Sequence, residues 1–141
     1  MAGFNSPGSA GRADVGVLGT GSSLPERRVS SGEVADVVGV ERGWVAERIG
    51  VLERRFATQD ETSLDFAVDA AKAALEAARL SPLELAAVVL ATSTADRPVP
   101  GVGVQVQAAI GAYDAVAFDV NAACAGFLVA CEIGRGLLKA A

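Results

Sequence analysis

At 141 residues with 51% of them apolar, the chain is long enough for one domain with a real core and too short for two ordinary ones. A formal net charge of −5 argues against a nucleic-acid partner, because a phosphate backbone demands a basic face. No window holds the roughly 18 uninterrupted apolar residues of a membrane helix, and two cysteines without an export signal point to a reducing cytoplasm rather than a disulfide framework.

Residues 1–13, rich in Gly, Ser and Ala, are expected to form a flexible tail, leaving 14–141 as the domain. Val15 to Thr20 reads as a short buried strand that Gly19, Gly21, Ser22 and Pro25 break into a loop. Those glycines are not a dinucleotide fingerprint: Gly16, Gly19 and Gly21 have the wrong order, and Leu24-Pro25 precedes any helix. Ser30 with Glu33 is a capping box for a helix through Val38, and a second short helix is expected over Glu41 to Ile49. Arg54 to Ala57 reads as a strand. Thr62 or Ser63 then opens the clearest helix, Leu64 to Ala78, whose stripe of small alanines predicts close packing on a sheet.

Ser81-Pro82-Leu83-Glu84 carries an N-cap, a first-turn proline and a carboxylate, and so predicts one helical turn. Ala86 to Thr92 follows as a strand whose continuous apolar character implies cover on both faces. A helix from about Gly103 to Ile110 and a strand from Ala115 to Val120 complete a strand-helix-strand alternation, which is an α/β layered fold with a largely parallel sheet. Ala125 to Ala141 is helical by pattern and apolar on nearly every side, the mark of a buried helix, yet a chain of this length has too little protein to surround it. The helix also reaches Ala141 with no glycine cap, as if cut while running.

Arg27, Arg28, Arg42, Arg48, Arg54 and Arg55 cluster in one stretch with Glu33, Asp36, Glu41, Glu47 and Glu53 among them. Two readings fit: a solvated face laced with salt bridges, or a surface for a small phosphorylated ligand. Cys124 stands where a strand turns into a helix, between Ala122-Ala123 and Ala125-Gly126. A helix N-terminus favours the reactive thiolate, and small neighbours leave room for a thioester, the logic of a nucleophile elbow. The alternative, a small buried hydrophobe, fits the spacing equally well. Cys131, further along the helix, reads as core. If the two thiols share one helix they are about 10 Å apart, beyond disulfide reach.

Several motifs together resemble one family. Gly19-Thr20-Gly21-Ser22 with Leu24-Pro25-Glu26, Trp44 with Arg48 and Gly50, Glu53-Arg54-Arg55, Ala91-Thr92-Ser93-Thr94, and Phe118-Asp119-Val120 leading to Ala122-Ala123-Cys124-Ala125-Gly126-Phe127 are similar to β-ketoacyl-[acyl-carrier-protein] synthase III. The match is ordered from about Val15 to the last residue. The resemblance implies a thiolase-like layered fold, of which this chain is most of the first half, carrying a buried nucleophile helix and usually forming a homodimer. It implies that Cys124 takes an acyl group from acyl-coenzyme A and that the acyl-enzyme condenses with malonyl-acyl carrier protein after decarboxylation. It places Trp44 and Arg48 against the nucleotide end of coenzyme A, which serves as substrate, with no cofactor or metal. Residues four apart share a helix face, so an indole and a guanidinium there can stack an adenine and meet a phosphate; a core Trp44 with a solvated Arg48 is the alternative.

Three departures stand out: Ile49 where these enzymes often carry Thr, Arg42-Gly43 in place of an acidic pair, and an unusually glycine-rich Pro100-Gly101-Val102-Gly103. The family's second half supplies a histidine and an asparagine for condensation, and this chain contains no histidine. Three readings follow: a synthase III chain cut short, one subunit of a split enzyme completed by a separate C-terminal half, or a non-catalytic interaction module or relic.

Overall fold

The computed structural model describes residues 15–95 and 97–140. The tail expected over residues 1–13 lies outside the described residues. The elements run β1 (Arg28–Ser30), α1 (Ser31–Val38), α2 (Trp44–Ile49), β2 (Glu53–Arg55), α3 (Ser63–Ala78), a single 3-10 turn at Pro82–Glu84, β3 (Ala87–Ala91), α4 (Val102–Ile110), β4 (Val116–Val120), a 3-10 turn at Ala123–Ala125 and α5 (Gly126–Ala140).

Local chemistry starts each of the early helices. Ser30 Oγ accepts from the Glu33 amide while the Glu33 carboxylate accepts from the Ser30 amide, at 3.2 and 2.8 Å, which satisfies donors that a helix start leaves orphaned. Thr62 and Asp65 repeat the device ahead of α3, and Ser81 with Glu84 ahead of the 3-10 turn. The helix expected from Glu41 begins only at Trp44, because Arg42 is drawn back onto α1, its Nε and Nη2 on the two Asp36 oxygens at 2.9 and 2.6 Å. That bidentate pair accounts for one of the unusual residues before the tryptophan.

β1 and β2 pair antiparallel, Arg28 opposite Arg55 and Ser30 opposite Glu53, and the sequence reading had no strand at Arg28–Ser30. β3 and β4 pair parallel in register from Ala87 with Val116 to Ala91 with Val120, and the crossover between them contains α4. α4 and α5 both pack on β3, so its five apolar residues are partly covered. The parallel pairing and layered helices are those of a partial thiolase-like α/β fold.

The strand expected over Val15 to Thr20 is absent: residues 15–25 carry no regular secondary structure. The reason lies in α3. A Cβ on Gly19 would stand 2.5 Å from the Ala74 carbonyl oxygen, and one on Gly21 would stand 2.1 Å from the Ala70 carbonyl oxygen. Backbone therefore presses on backbone along the alanine face of α3, and no strand partner meets the segment. The same observation revises the expected docking of that face on a sheet: α3 packs on α4 and takes residues 19–21, while a hollow of about 330 Å³ lined by Val17, Leu18, Leu75, Leu85 and Val88 separates it from β3.

Asp119, the one charged residue of β4, reaches the start of α4, where its two carboxylate oxygens accept from the Val102 and Gly103 amides at 2.9 and 2.6 Å. The approach requires bare backbone: a Cβ on Gly101 would meet Asp119 Oδ2 at 2.8 Å, and one on Gly103 would meet Asp119 Oδ1 and the Phe118 carbonyl oxygen at 2.9 Å. The glycine-rich segment is thus the seat of a helix cap supplied by a strand.

α5 is open. Only Gly126 is buried, and Phe127 and Leu128 are 74% and 71% exposed. The burial expected of an all-apolar helix is not reached because its cover is one sheet face, β3 and the end of β4. No helix among the described residues is long and apolar enough to cross a membrane.

Replacing Asp119 by Ala leaves two amides of α4 without their acceptor and should cost about 1–2 kcal/mol of unfolding free energy, measured by urea titration, with Gly103→Ala costing a comparable amount through crowding. A second expectation concerns pH. Hydrogen bonds from the side chain and then the backbone of Ser30 hold Glu33 below its ordinary value of 4.5, those of Thr62 do the same for Asp65 from 3.8, and the Arg42 guanidinium lowers Asp36. The folded state then binds fewer protons than the unfolded chain, so this contribution is complete above pH 4.5 and is lost as pH falls through the lowered folded values. The melting temperature should decline more gently with acid in Thr62→Val than in the wild type.

Candidate active site

Cys124 stands at the carboxyl end of β4, on the side of the parallel pair where α/β proteins gather their chemistry. The chain leaves Val120, passes Asn121 and Ala122 and enters the turn Ala123–Ala125, closed by the Ala125 amide on the Ala122 carbonyl at 3.0 Å. Ala123 has φ of 45°, a left-handed backbone that costs a residue with a Cβ about 1 kcal/mol or more. That residue breaks the helical run, so Cys124 lies in the 3-10 turn and α5 begins two residues later at Gly126. The thiol thus stands at a strand-to-helix junction, in the turn between β4 and α5. Gly126 is pressed onto β3, where a Cβ would meet that of Ala91 at 3.2 Å.

Both thiols are free and exposed, so the buried-hydrophobe alternative does not describe Cys124 here, and the core position expected for Cys131 is open to solvent among the described residues. Two hollows of about 330 Å³ flank the turn, one lined by Val89, Ala91, Ala123, Phe127 and Cys131, the other by Thr92, Ser93, Asp119 and Asn121. In the second, Asn121 Oδ1 accepts from Ser93 Oγ at 2.9 Å and from the Ala123 amide at 3.4 Å. Asn121 is not among the site residues that the sequence singles out. The available signal was its place just after β4, as Ser93 comes just after β3, since parallel strands bring their carboxyl ends together.

Trp44 and Arg48 form the second patch. The Arg48 guanidinium carbon is 5.8 Å from the centre of the Trp44 ring, one turn apart on α2, and Trp44 is 49% exposed rather than a core anchor. α2 packs on α1 and α5 packs chiefly on β3, so the fold joins Trp44 to Arg48 and does not bring either against Cys124 through a shared element. The remaining arginines have partners within the chain: Arg28 pairs with Glu53 at 3.1 Å, Arg42 with Asp36, Arg55 donates to the Pro25 carbonyl at 2.8 Å, Arg54 to Ser31 Oγ, and Arg27 lies over the Phe56 ring. Salt bridges and local contacts therefore occupy most of that cluster. Among the described residues, no group of three or more His, Cys, Asp or Glu side chains is placed to hold a metal ion.

No protein-family profile matches the chain. It is 42% identical over 123 residues to a protein of Rhizorhabdus wittichii named β-ketoacyl-[acyl-carrier-protein] synthase III, a match covering 87% of this chain and 39% of that one. The chain is a homologue of β-ketoacyl-[acyl-carrier-protein] synthase III. The crystal structure of the Aquifex aeolicus synthase III superposes with a TM-score of 0.82 at 38% identity, over 87% of this chain and 40% of that chain. The acetoacetyl CoA synthase NphT7 of a Streptomyces species is 42% identical over 86% of this chain and 37% of its own length. This chain therefore spans about two fifths of the synthase III proteins it resembles.

Exposure of both cysteines has a direct consequence. Iodoacetamide without denaturant should add two carbamidomethyl groups to the native chain, at Cys124 and Cys131, by intact mass and peptide mapping; a protected Cys124 would contradict the placement of its turn.

Proposed function

We propose that residues 14–141 are a truncated N-terminal thiolase-like domain of a synthase III-type acyltransferase, with Cys124 as its acyl acceptor. The observation that carries this reading is an exposed thiol in a tight turn beyond the parallel pair, set in Ala122-Ala123-Cys124-Ala125-Gly126-Phe127. In the reaction, the Cys124 thiolate attacks the carbonyl carbon of an acyl-coenzyme A thioester, the bond to the coenzyme A sulfur breaks, and that sulfur leaves as a thiolate that takes up the proton Cys124 lost. The acyl group then passes to the carbanion left when a malonyl thioester on acyl carrier protein loses carbon dioxide: a carbon–carbon bond forms and Cys124 is released. The names of the relatives, a β-ketoacyl-[acyl-carrier-protein] synthase III, an acetoacetyl CoA synthase and a priming β-ketosynthase from a polyketide pathway, support this class without choosing the pathway.

Trp44 and Arg48 serve as the contact for the nucleotide end of coenzyme A, the half-exposed indole stacking on adenine and the guanidinium beside it meeting phosphate. The second step needs a group that moves a proton and stabilises the carbanion, and with no histidine in the chain the lone domain accepts acyl groups but condenses poorly. The open apolar side of α5, with Phe127, Leu128 and Leu138 at the surface, favours a second reading within the same chemistry: a cytoplasmic subunit completed by a histidine-bearing C-terminal half, in a homodimeric enzyme.

Incubation with acetyl-coenzyme A followed by intact-mass measurement should give one acetyl adduct on the wild type and none on Cys124→Ala. Trp44→Ala and Arg48→Ala should each raise the half-saturating acetyl-coenzyme A concentration roughly tenfold, equivalent to about 1.4 kcal/mol. An adduct that persists in Cys124→Ala sinks the assignment of the thiol, and carbon–carbon bond formation by the lone chain overturns the claim that it needs a second half.

A further inference from the structure

Three features converge on the turn that carries Cys124. The ends of the two parallel strands are joined by a main-chain hydrogen bond from the Thr92 amide to the Val120 carbonyl at 3.1 Å. Immediately beyond it, the Asn121 side chain spans the gap between the two outgoing loops, its Oδ1 accepting from Ser93 Oγ at 2.9 Å and from the Ala123 amide at 3.4 Å. Ala123, the residue held by the second of these bonds, is one of two non-glycine residues with positive φ among the described residues, and it directly precedes the thiol. The other, Arg79, ends α3, where a left-handed residue is the ordinary way to close a helix. Ala123 ends nothing. Its backbone sits in an unfavourable region in the middle of a connection, which persists only where neighbours hold it.

We infer that Asn121, braced by Ser93, is the positioning residue of the nucleophile: it holds Ala123 in the left-handed conformation that projects the Cys124 thiol from the turn. A side-chain amide suits the task because one oxygen can take two donors at once, one from each loop. With that acceptor removed, nothing among these contacts opposes relaxation of Ala123 toward the helical region, and the helix of α5 would extend backward through residue 124, turning the sulfur away. Ser93 acts one step further out, fixing the amide so that its oxygen, not its nitrogen, faces Ala123. The inference rests on the proposed role of Cys124 as acyl acceptor, but its physical content is the geometry of the thiol, which can be read without acyl-coenzyme A.

The test uses the full chain with Asn121→Ala, Ser93→Ala and Asn121→Asp, the last keeping the oxygen acceptor. Iodoacetamide alkylation is followed at Cys124 and Cys131 in the same molecules from neutral to alkaline pH, and the high-pH plateaus are compared so that the added charge of aspartate does not enter. Loss of one hydrogen-bond acceptor should slow the plateau rate at Cys124 by about threefold or more in Asn121→Ala and Ser93→Ala, leave Cys131 unchanged, and be restored by Asn121→Asp. A parallel arm measures acetyl transfer from acetyl-coenzyme A and should rank the variants in the same order. If the wild type takes no acetyl group while the alkylation rates rank as expected, the proposed function fails and the positioning role stands. If acetyl transfer proceeds and Cys124 alkylates as fast, or faster, in both Asn121→Ala and Ser93→Ala, the positioning role is overturned and the proposed function survives. Should Asn121→Ala not fold, as judged by circular dichroism, Ser93→Ala and Asn121→Asp decide the question between them.

Discussion

The parallel ladder between β3 and β4 sets the place of the Cys124 thiol and of the groups around it. A parallel pair cannot be closed by a tight turn, so the connection must leave the sheet, run through a helix and return in the same sense. That route seats α4 on the strands, and the carboxylate of Asp119 fastens the start of α4 to β4 from within the ladder itself. It also brings two loops out of the sheet side by side, one bearing Ser93 and the other Asn121 and Cys124. Were the register to slip by one residue, the side chain that caps α4 would turn to the opposite face.

The chain divides its contacts into two groups. β1, β2, α1 and α2 pack among themselves, and β3, β4, α3, α4 and α5 do likewise, with Trp44 and Arg48 in the first group and Cys124 in the second. Among the described residues neither group encloses a large side chain completely: the buried apolar ones are Val29, Ala35, Val45, Val102, Val106, Ala112 and Ala115, all modest in size. Phe127, Leu128 and Leu138 meanwhile lie on the surface. The synthase III proteins that the chain resembles extend over more than twice its length.

Features decided by neighbours in sequence were legible before the structure. Ser30 with Glu33 and Ser81 with Glu84 each form the reciprocal bonds that their spacing implies, because a capping box is closed within four residues, and Thr62, one of two residues expected to open α3, does so. The strand at Ala87–Ala91 announced itself by an unbroken apolar run, and that at Val116–Val120 by a run broken only at Asp119. What failed depended on partners distant in the chain. Arg28–Ser30 has no strand-like composition and is a strand only because Glu53–Arg55 lies beside it, whereas Val15 to Thr20 has the composition and lacks the partner. Cys124 and the Trp44–Arg48 pair came from an ordered set of motifs, but the link from Ser93 to Asn121 joins residues 28 apart and left no local trace.

The close fit of Asp119 against Gly101 and Gly103 bears on how this stretch can drift over generations. A side chain at either glycine and a carboxylate at 119 would claim the same space, within 3 Å in both cases. The three positions are therefore tied across the 16 or more residues that separate them in the chain, and a replacement at one is tolerated only where the others have already yielded. Loss of the carboxylate first would free Gly101 to vary, while the Phe118 carbonyl oxygen would still hold Gly103; gain of a methyl group first would evict the carboxylate. The path from this local arrangement to another is directional, and the order of steps is written in the contact itself.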